Sequence, residues 1–550
     1  MADLGTGGTE LLVKLLEVFG ASPESLRDTA ATDQTSGYVT ALVSEAVPAD
    51  AETKATIYRF DDRNTNISEA VRFFNALAAL LLNCDDDLQL TLKPQGPQDL
   101  DETGKPRKVD VFVGYSNLLH GIARVAEMID EKLCECLDLI YHDPSFQQLE
   151  AAWRGLDDLA SSVSADDVVI DFLDVSKNEL GADLVDHELD VFGSELFKKV
   201  YVQEYDRYGG KPFAGMIGLY EFDSSDDDIK WLTCMGKVAN ASHCPFLGAV
   251  SSTFFGRERM DEVAQIEDLD AELAHPRYGR WQELRTTDYA AYLGLVLPRY
   301  LLRGPFGRCH TSEPRNTVGY RESVLPNDVA PLGFLWGNAA ILFAKNMVQS
   351  YEGSGWAQHI RGPRGGGLVQ GLTAYSYEKS GYPEVLPPVE IAIPDYRELQ
   401  FASNGFIPLV HKKNEAVATF FSAQSVKKPR TFVEDLSTKN AYLVTNLAYT
   451  FSITRIAHYV KRTMREYIGS VADGPYIQQT LAAWLGRFVT TVTNPDDLTL
   501  RYYPFKAVNV TVEPKPGPFG WYKATVSALP HAQFEGMDVE LRLEAALGGP

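Results

Sequence analysis

Apolar positions recur at helical spacing in several long stretches of the chain. In "DPSFQQLEAAWRGLDDLASSV" the residues Phe146, Leu149, Trp153, Leu156 and Leu159 share one side of a predicted helix, with Asp143 placed to cap it and Pro144 at its first position. That side should be buried. "TELLVKLLEVF", residues 9–19, predicts a short amphipathic helix, and "NISEAVRFFNALAALLLNC" a strongly apolar one opened by Asn66 with Glu69 three residues on. Between residues 165 and 260 the pattern changes: "DDVVIDFLDV" and "FAGMIGLYEF" predict strands, and "DDIKWLTCMGKVANAS" a helix followed by the apolar "CPFLGAVSS". "AAYLGLVLPRYLL" continues this α/β alternation, and "LWGNAAILFAKNMVQSYEGSGW" predicts another buried helix.

The C-terminal third differs. After the Pro-rich "GYPEVLPPVEIAIP" come "FIPLVHKK" and "AVATFFSAQS", then helices, and finally "AVNVTVEP", "WYKATVSAL" and "VELRLEAAL". Alternation puts Val508, Val510 and Val512 on one face, and Val539, Leu541 and Leu543 likewise. A strand this near the chain end, bounded by Pro and Gly, can pair with the sheet edge of a neighbouring chain.

Composition narrows the partners. At 550 residues with 45% hydrophobic content the chain can bury two to four domains or one large elaborated one, and "KPQGPQDLDETGKPRKV", residues 93–109, is a linker. A net charge of -24 repels nucleic acid and anionic membranes. The N-terminus carries no signal-peptide pattern and no apolar run reaches bilayer length, so the expected location is the cytoplasm, without direct membrane insertion. Six scattered cysteines are expected as free thiols, and Cys134 and Cys136, two apart on a predicted helix, point in different directions and suit no shared metal.

"IRGPRGGGLVQG" packs five glycines and two arginines into residues 360–371. It fails the dinucleotide fingerprint, because counting from Gly365 the sixth position is Gln370, and it lacks the Gly-Lys-Ser/Thr ending of a Walker loop. Close packing or backbone flexibility at Gly365, Gly366 and Gly367 explains it better. "DSSDDD", residues 223–228, lacks the Gly and Glu of a calcium loop, and the chain has no G-x-S-x-G elbow and no H-E-x-x-H pair. No catalytic, cofactor or metal site is expected, and the "SHC" of His243 and Cys244 gives little support for a nucleophile. The clearest charge pattern is "SITRIAHYVKRTMREYIGS", where Arg455, His458, Arg462 and Arg465 fall within an arc of about 80°. On so acidic a protein this basic stripe should meet carboxylates, within the fold or on an adjacent subunit.

Six colinear blocks, "DPSFQQLEAAWRGL", "APLGFLWGNAAILFA", "IRGPRGGGLVQGL", "GFIPLVHKK", "FFSAQSVKKPR" and "RIAHYVKRTMREYIGS", resemble the signature of the large subunit of the type VI secretion contractile sheath, the TssC or VipB family. The resemblance runs from about residue 140 to the C-terminus. It departs in the first 110 residues and at Arg364 and Gln370, where the family carries Glu, which suggests a divergent subtype.

The resemblance implies a mixed α+β sheath fold in three parts. These are a helical N-terminal region and linker (1–110) making outer and partner contacts, a middle α/β domain (111–345), and an inner domain (346–550) whose sheet is completed by strands from neighbouring subunits. It implies a structural role, not an enzyme. The implied partners are a small sheath subunit of the TssB or VipA type, an inner Hcp tube, a baseplate, further copies in a helical polymer, and a ClpV-type unfoldase acting on the N-terminal helix at Leu11–Phe19. Arg455, Arg462 and Arg465, then Arg361 and Arg364, are the expected interface charges, and the strands around Val508–Val512 and Val539–Leu543 the expected intersubunit mesh. Two alternatives stand beside it: a single-component sheath of a phage tail or extracellular injector, and a nucleotide-binding enzyme using the glycine loop.

Overall fold

The computed structural model describes residues 129–164, 168–307, 320–325, 332–379, 381–433, 435–468, 470, 473–490, 492, 495–514 and 521–531. The chain divides into two units, residues 1–140 with 314–321, and residues 141–313 with 322–550. In the first unit residues 129–140 are helical, and the Tyr320 hydroxyl donates to the Asp138 carboxylate at 2.7 Å. On that helix Cys134 is half-buried and Cys136 exposed, both as free thiols.

The second unit opens with α1 (Pro144–Ser161), whose start follows from its sequence. The Asp143 carboxylate accepts from the amides of Ser145 at 2.9 Å and Phe146 at 3.2 Å, and Pro144 fills the position whose amide needs no partner. Its buried side departs from expectation. Gly155 and Leu159 face the body, Gly155 against Ile341, while Leu149 is 55% and Trp153 67% exposed. Trp153 lies roughly 160° around the helix from Gly155, so one packing face cannot bury both. Ion pairs fix the roll: Glu150 meets Arg303 and Asp158 meets Lys345, each at 2.8 Å.

The strands follow in order: β1 (Met216–Phe222), β2 (Phe246–Val250), β3 (Leu293–Leu297), β4 (Tyr300–Leu301), β5 (Trp336–Gly337), β6 (Leu368–Val369), β7 (Tyr375–Lys379), β8 (Tyr382–Leu386), β9 (Ile407–His411), β10 (Ala418–Phe420), β11 (Phe505–Pro514) and β12 (Tyr522–Pro530). Four longer helices position the rest: α2 (Asp226–Ser242), α3 (Ala340–Ser354), α4 (Leu447–Glu466) and α5 (Gly474–Gly486). A six-stranded sheet runs β1-β2-β3-β9-β10-β6, parallel through β9 and antiparallel beyond it.

The apolar runs of a parallel sheet require cover on both faces. Phe246, Val250, Leu293, Leu295 and Leu297 pack with Trp231 and Met235 of α2 and with Trp281. Leu247, Ala249, Val296, Ile407 and Leu409 pack on the opposite face with Phe343 of α3 and Phe451 of α4. The expected α/β alternation is present, with one correction. Residues 168–175, expected as a strand, have neither turn nor bend and join no sheet among the described residues; Val168 and Ile170 pack on the cluster of Leu159, Ile341, Ala344 and Val348, which Ile217 and Leu219 of β1 also cover. The sheet takes strands from both sides of residue 345, so the parts 111–345 and 346–550 share one core.

The hairpin β11–β12 stands apart as its own two-stranded sheet on α5, where Ile477, Leu481, Leu485, Phe505 and Val510 form a small core with Trp356 and Ile456. Among the described residues no helix is long and apolar enough to cross a membrane.

Candidate functional site

The glycine loop is built against this chain's own backbone. A β-carbon on Gly365 would stand 2.4 Å from the Arg361 carbonyl, one on Gly366 2.1 Å from the His359 carbonyl, and one on Gly367 2.4 Å from the Phe420 carbonyl. Gly366 also has φ +89°, a backbone region that side-chain-bearing residues avoid. Two bonds lock the loop to β10 and a third closes it on itself: the Gly362 amide donates to Phe420 O at 2.7 Å, the Phe420 amide to Gly367 O at 2.9 Å, and the Gly367 amide to Gly362 O at 2.8 Å. The close packing is internal: a side chain here would press on the His359 and Phe420 carbonyls of the same chain. Arg361 is buried, which removes it as a surface charge. Arg364 is exposed, and its carbonyl accepts from the Arg501 guanidinium at 3.3 Å.

The basic face of α4 also turns inward in part. A π-helix over Lys198–Tyr205 ends against α4, and Arg465 donates to the carbonyls of Tyr205 at 3.3 Å and of Arg207, just beyond it, at 2.8 Å. Arg455 lies 4.8 Å over the Trp356 ring, and Arg462 pairs with Glu466 at 3.3 Å on the exposed side. His458 packs 5.0 Å from the Tyr205 ring, and burial pushes its imidazole down to about 4. Burial likewise raises Tyr205 to about 12 and, helped by the Lys461 charge, lowers His243.

Lys461 completes the set. Its ammonium sits 3.9 Å from the Tyr205 ring centre and 2.7 Å from the Asp206 carboxylate. At 100° per residue it lies about 40° beyond the arc of the three arginines, so including every basic residue of the helix would have widened the stripe to about 120° and found it. The π-helix that receives the stripe has no comparable sequence signal.

In the C-terminal hairpin the three valines point into the small core, Val510 fully and Val508 and Val512 in part. Their strand partners lie in this chain: Val508 opposite Ala528, Val510 opposite Val526 and Val512 opposite Ala524. What the hairpin can offer a neighbour is therefore backbone at its outer edges. Val539, Leu541 and Leu543 lie outside the described residues, as do the N-terminal helices expected at 9–19 and 66–84. No group of three or more His, Cys, Asp or Glu among the described residues is placed to hold a metal.

These features describe a framework of packed backbone and paired charge. Residues 123–427 match the VipB family model described as EvpB/VC_A0108, tail sheath N-terminal domain, and residues 436–547 a second VipB model described as EvpB/VC_A0108, tail sheath gpW/gp25-like domain. The chain is 36% identical over 436 residues to the type VI secretion system sheath protein TssC1 of Pseudomonas aeruginosa, a match that covers 78% of this chain and 87% of the relative. Among solved structures it is similar to a chain of the anti-feeding prophage baseplate (TM-score 0.31, 11% identity), with 58% of this chain and 66% of that one covered. It is also similar to a chain of the contracted anti-feeding prophage sheath (TM-score 0.28, 10% identity), with 57% and 67% covered. On the two family matches and the TssC1 identity, the chain belongs to the VipB/TssC family of type VI secretion tail-sheath proteins.

Proposed function

We propose that this chain is the large structural subunit of a cytoplasmic contractile sheath, without catalytic activity. It pairs with a small TssB- or VipA-like subunit, polymerises with further copies around an inner Hcp tube from a baseplate, and contracts to drive the tube outward. The observation that carries this reading is the family match, which runs through both sheath regions, residues 123–427 and 436–547. The hairpin β11–β12 fits it, because a two-stranded sheet outside the core sheet has outer edges that can take strands from neighbouring copies while their backbone hydrogen bonds persist through a rearrangement. In this reading residues 1–110 make outer contacts, including the segment offered to a ClpV-type unfoldase, and the parts 111–345 and 346–550, joined by the six-stranded sheet, act as one body. Arg455, Arg462 and Arg364, exposed in this chain, are the interface charges it retains.

The test is electron microscopy of the chain expressed with and without the small subunit encoded beside it. Hollow tubes that require both chains are expected. Tubes from this chain alone would replace the reading with a single-component sheath, and compact particles in both samples would overturn it.

A further inference from the structure

His243 closes α2 in the left-handed conformation, φ 50°, with its amide donating to Asn240 O at 3.3 Å and that of Cys244 to Ala239 O at 2.9 Å. Glycine or asparagine is the usual residue at such a cap, so a histidine there is held by its surroundings. Its Nδ1 lies 3.2 Å from the Tyr292 hydroxyl, and the Tyr205 ring stands 6.0 Å from its ring and 5.0 Å from that of His458. His458 in turn donates from Nε2 to the Ser242 carbonyl at 3.4 Å. Two half-buried imidazoles from distant parts of the chain thus meet where α2, α4 and the π-helix join.

The fixed charges beside them are mostly of one sign. Lys461 lies one turn beyond His458 on α4, Arg465 follows it, and the carboxylate of Asp206 is already shared between them at 2.7 and 3.4 Å. Neither imidazole has a carboxylate within ion-pairing distance among the described residues, and Glu204 of the π-helix is turned to the Lys211 amide at 2.8 Å. The other titratable neighbours are Tyr201 and Tyr205 of the π-helix, Tyr292 and Cys244; burial raises Tyr205, Tyr292 and Cys244, which stay neutral. A proton on either histidine therefore adds a cation where the available carboxylate is spent.

We infer that His243 and His458 form an acid-operated release: on taking up protons they part the end of the π-helix, Tyr201–Asp206, from α4 and from the α2 cap while the central sheet stays folded. The parting is local because each side has its own anchor. Leu447, Ala448 and Phe451 of α4 lie in the core beside the sheet, Tyr459 stacks on Trp484 of α5, and Phe197 and Val200 hold the start of the π-helix in the core on the opposite face. Burial holds both imidazoles below their ordinary value, His458 at about 4, so the contact is complete above pH 6.5 and weakens as pH falls toward 4. This concerns the chain's own fold and stands whether or not the sheath reading holds.

Amide hydrogen exchange of the full chain at pH 7.5 and 5, read as protection factors so that the chemical rate at each pH divides out, locates the event. Protection of residues 201–207 and 242–244 should fall about tenfold or more at pH 5, while that of 293–297 in β3 holds. His243→Asn, which suits the left-handed cap, combined with His458→Gln should keep the protection at pH 5. Unchanged protection of the π-helix end in the unaltered protein, an equal loss in β3, or a double variant that still opens would each overturn the inference. Should the double variant not fold, the unaltered protein decides by the pH of its local transition: a midpoint between 4 and 6.5 is expected, and one outside that window would exclude the histidines.

Discussion

At Gly366 two demands meet, a positive φ and a carbonyl where a β-carbon would go. Gly371 separates them, since its φ is +72° but nothing lies within 4 Å of its missing β-carbon. G371A should therefore cost only backbone strain, about 1 kcal/mol, whereas G366V adds a clash with the backbone and should cost about 3 kcal/mol or more. Urea unfolding of the two variants checks this, and equal destabilisation would refute the close-packing account. The residue types in the loop argue against a phosphate cradle on their own. They cannot name what the loop presses on, because Phe420 lies 53 positions beyond Gly367 and only the folded sheet brings them together.

At the scale of elements, the contact between α4 and the π-helix should make stability depend on pH. His458 titrates near 6.5 when unfolded and at about 4 when folded, because burial disfavours its charge. As pH falls through that window the unfolded chain takes up the proton first, so stability is complete above 6.5 and is progressively lost toward 4. Between pH 7.5 and 5 the loss attributable to His458 is about 2 kcal/mol. A second contributor lies in the glycine loop's approach: His359, also lowered to about 4 chiefly by burial, loses its share over the same window. Unfolding midpoints at the two pH values should thus draw closer in His458→Gln without becoming equal, and an unchanged pH dependence would remove His458 from the account.

The elements themselves are largely legible in the sequence. Period and β-branched runs mark β1, β2, β3 and β9, and Asp143 with Pro144 marks the start of α1. What the pattern misses depends on partners distant in sequence: the roll of α1 is set by Arg303, 153 positions from Glu150, and the strand pattern of 168–175 describes a segment that has no ladder among the described residues.

For the whole molecule, the small core under β11–β12 separates assembly from folding of the central sheet. Val510→Asp would place an unpaired carboxylate among Ile477, Leu481 and Leu485, a loss of several kcal/mol confined to that core. Co-expressed with the small subunit, this variant should yield soluble chain and no tubes, with protease cutting the region after about residue 470 while the body survives. Tubes of normal length would show that the hairpin plays no part in the lattice. The charge stripe reads from the sequence as a contact surface, and in the structure Arg465 and Lys461 spend their charge beside the π-helix end of the same chain. Net charge and periodicity cannot distinguish a partner within the chain from one outside it.

The pairing of β3 with β9 sets the order of events during synthesis. Val296 finds its partner Ile407 only after a further 111 residues have been made. At about 5–20 residues per second, the apolar edge of β3 waits on the ribosome for roughly 5–20 s before the strand that closes it can arrive. A cell making this subunit in bulk must shelter that edge through every round of translation, and a chaperone engaging the nascent chain between these two strands has the first claim on it.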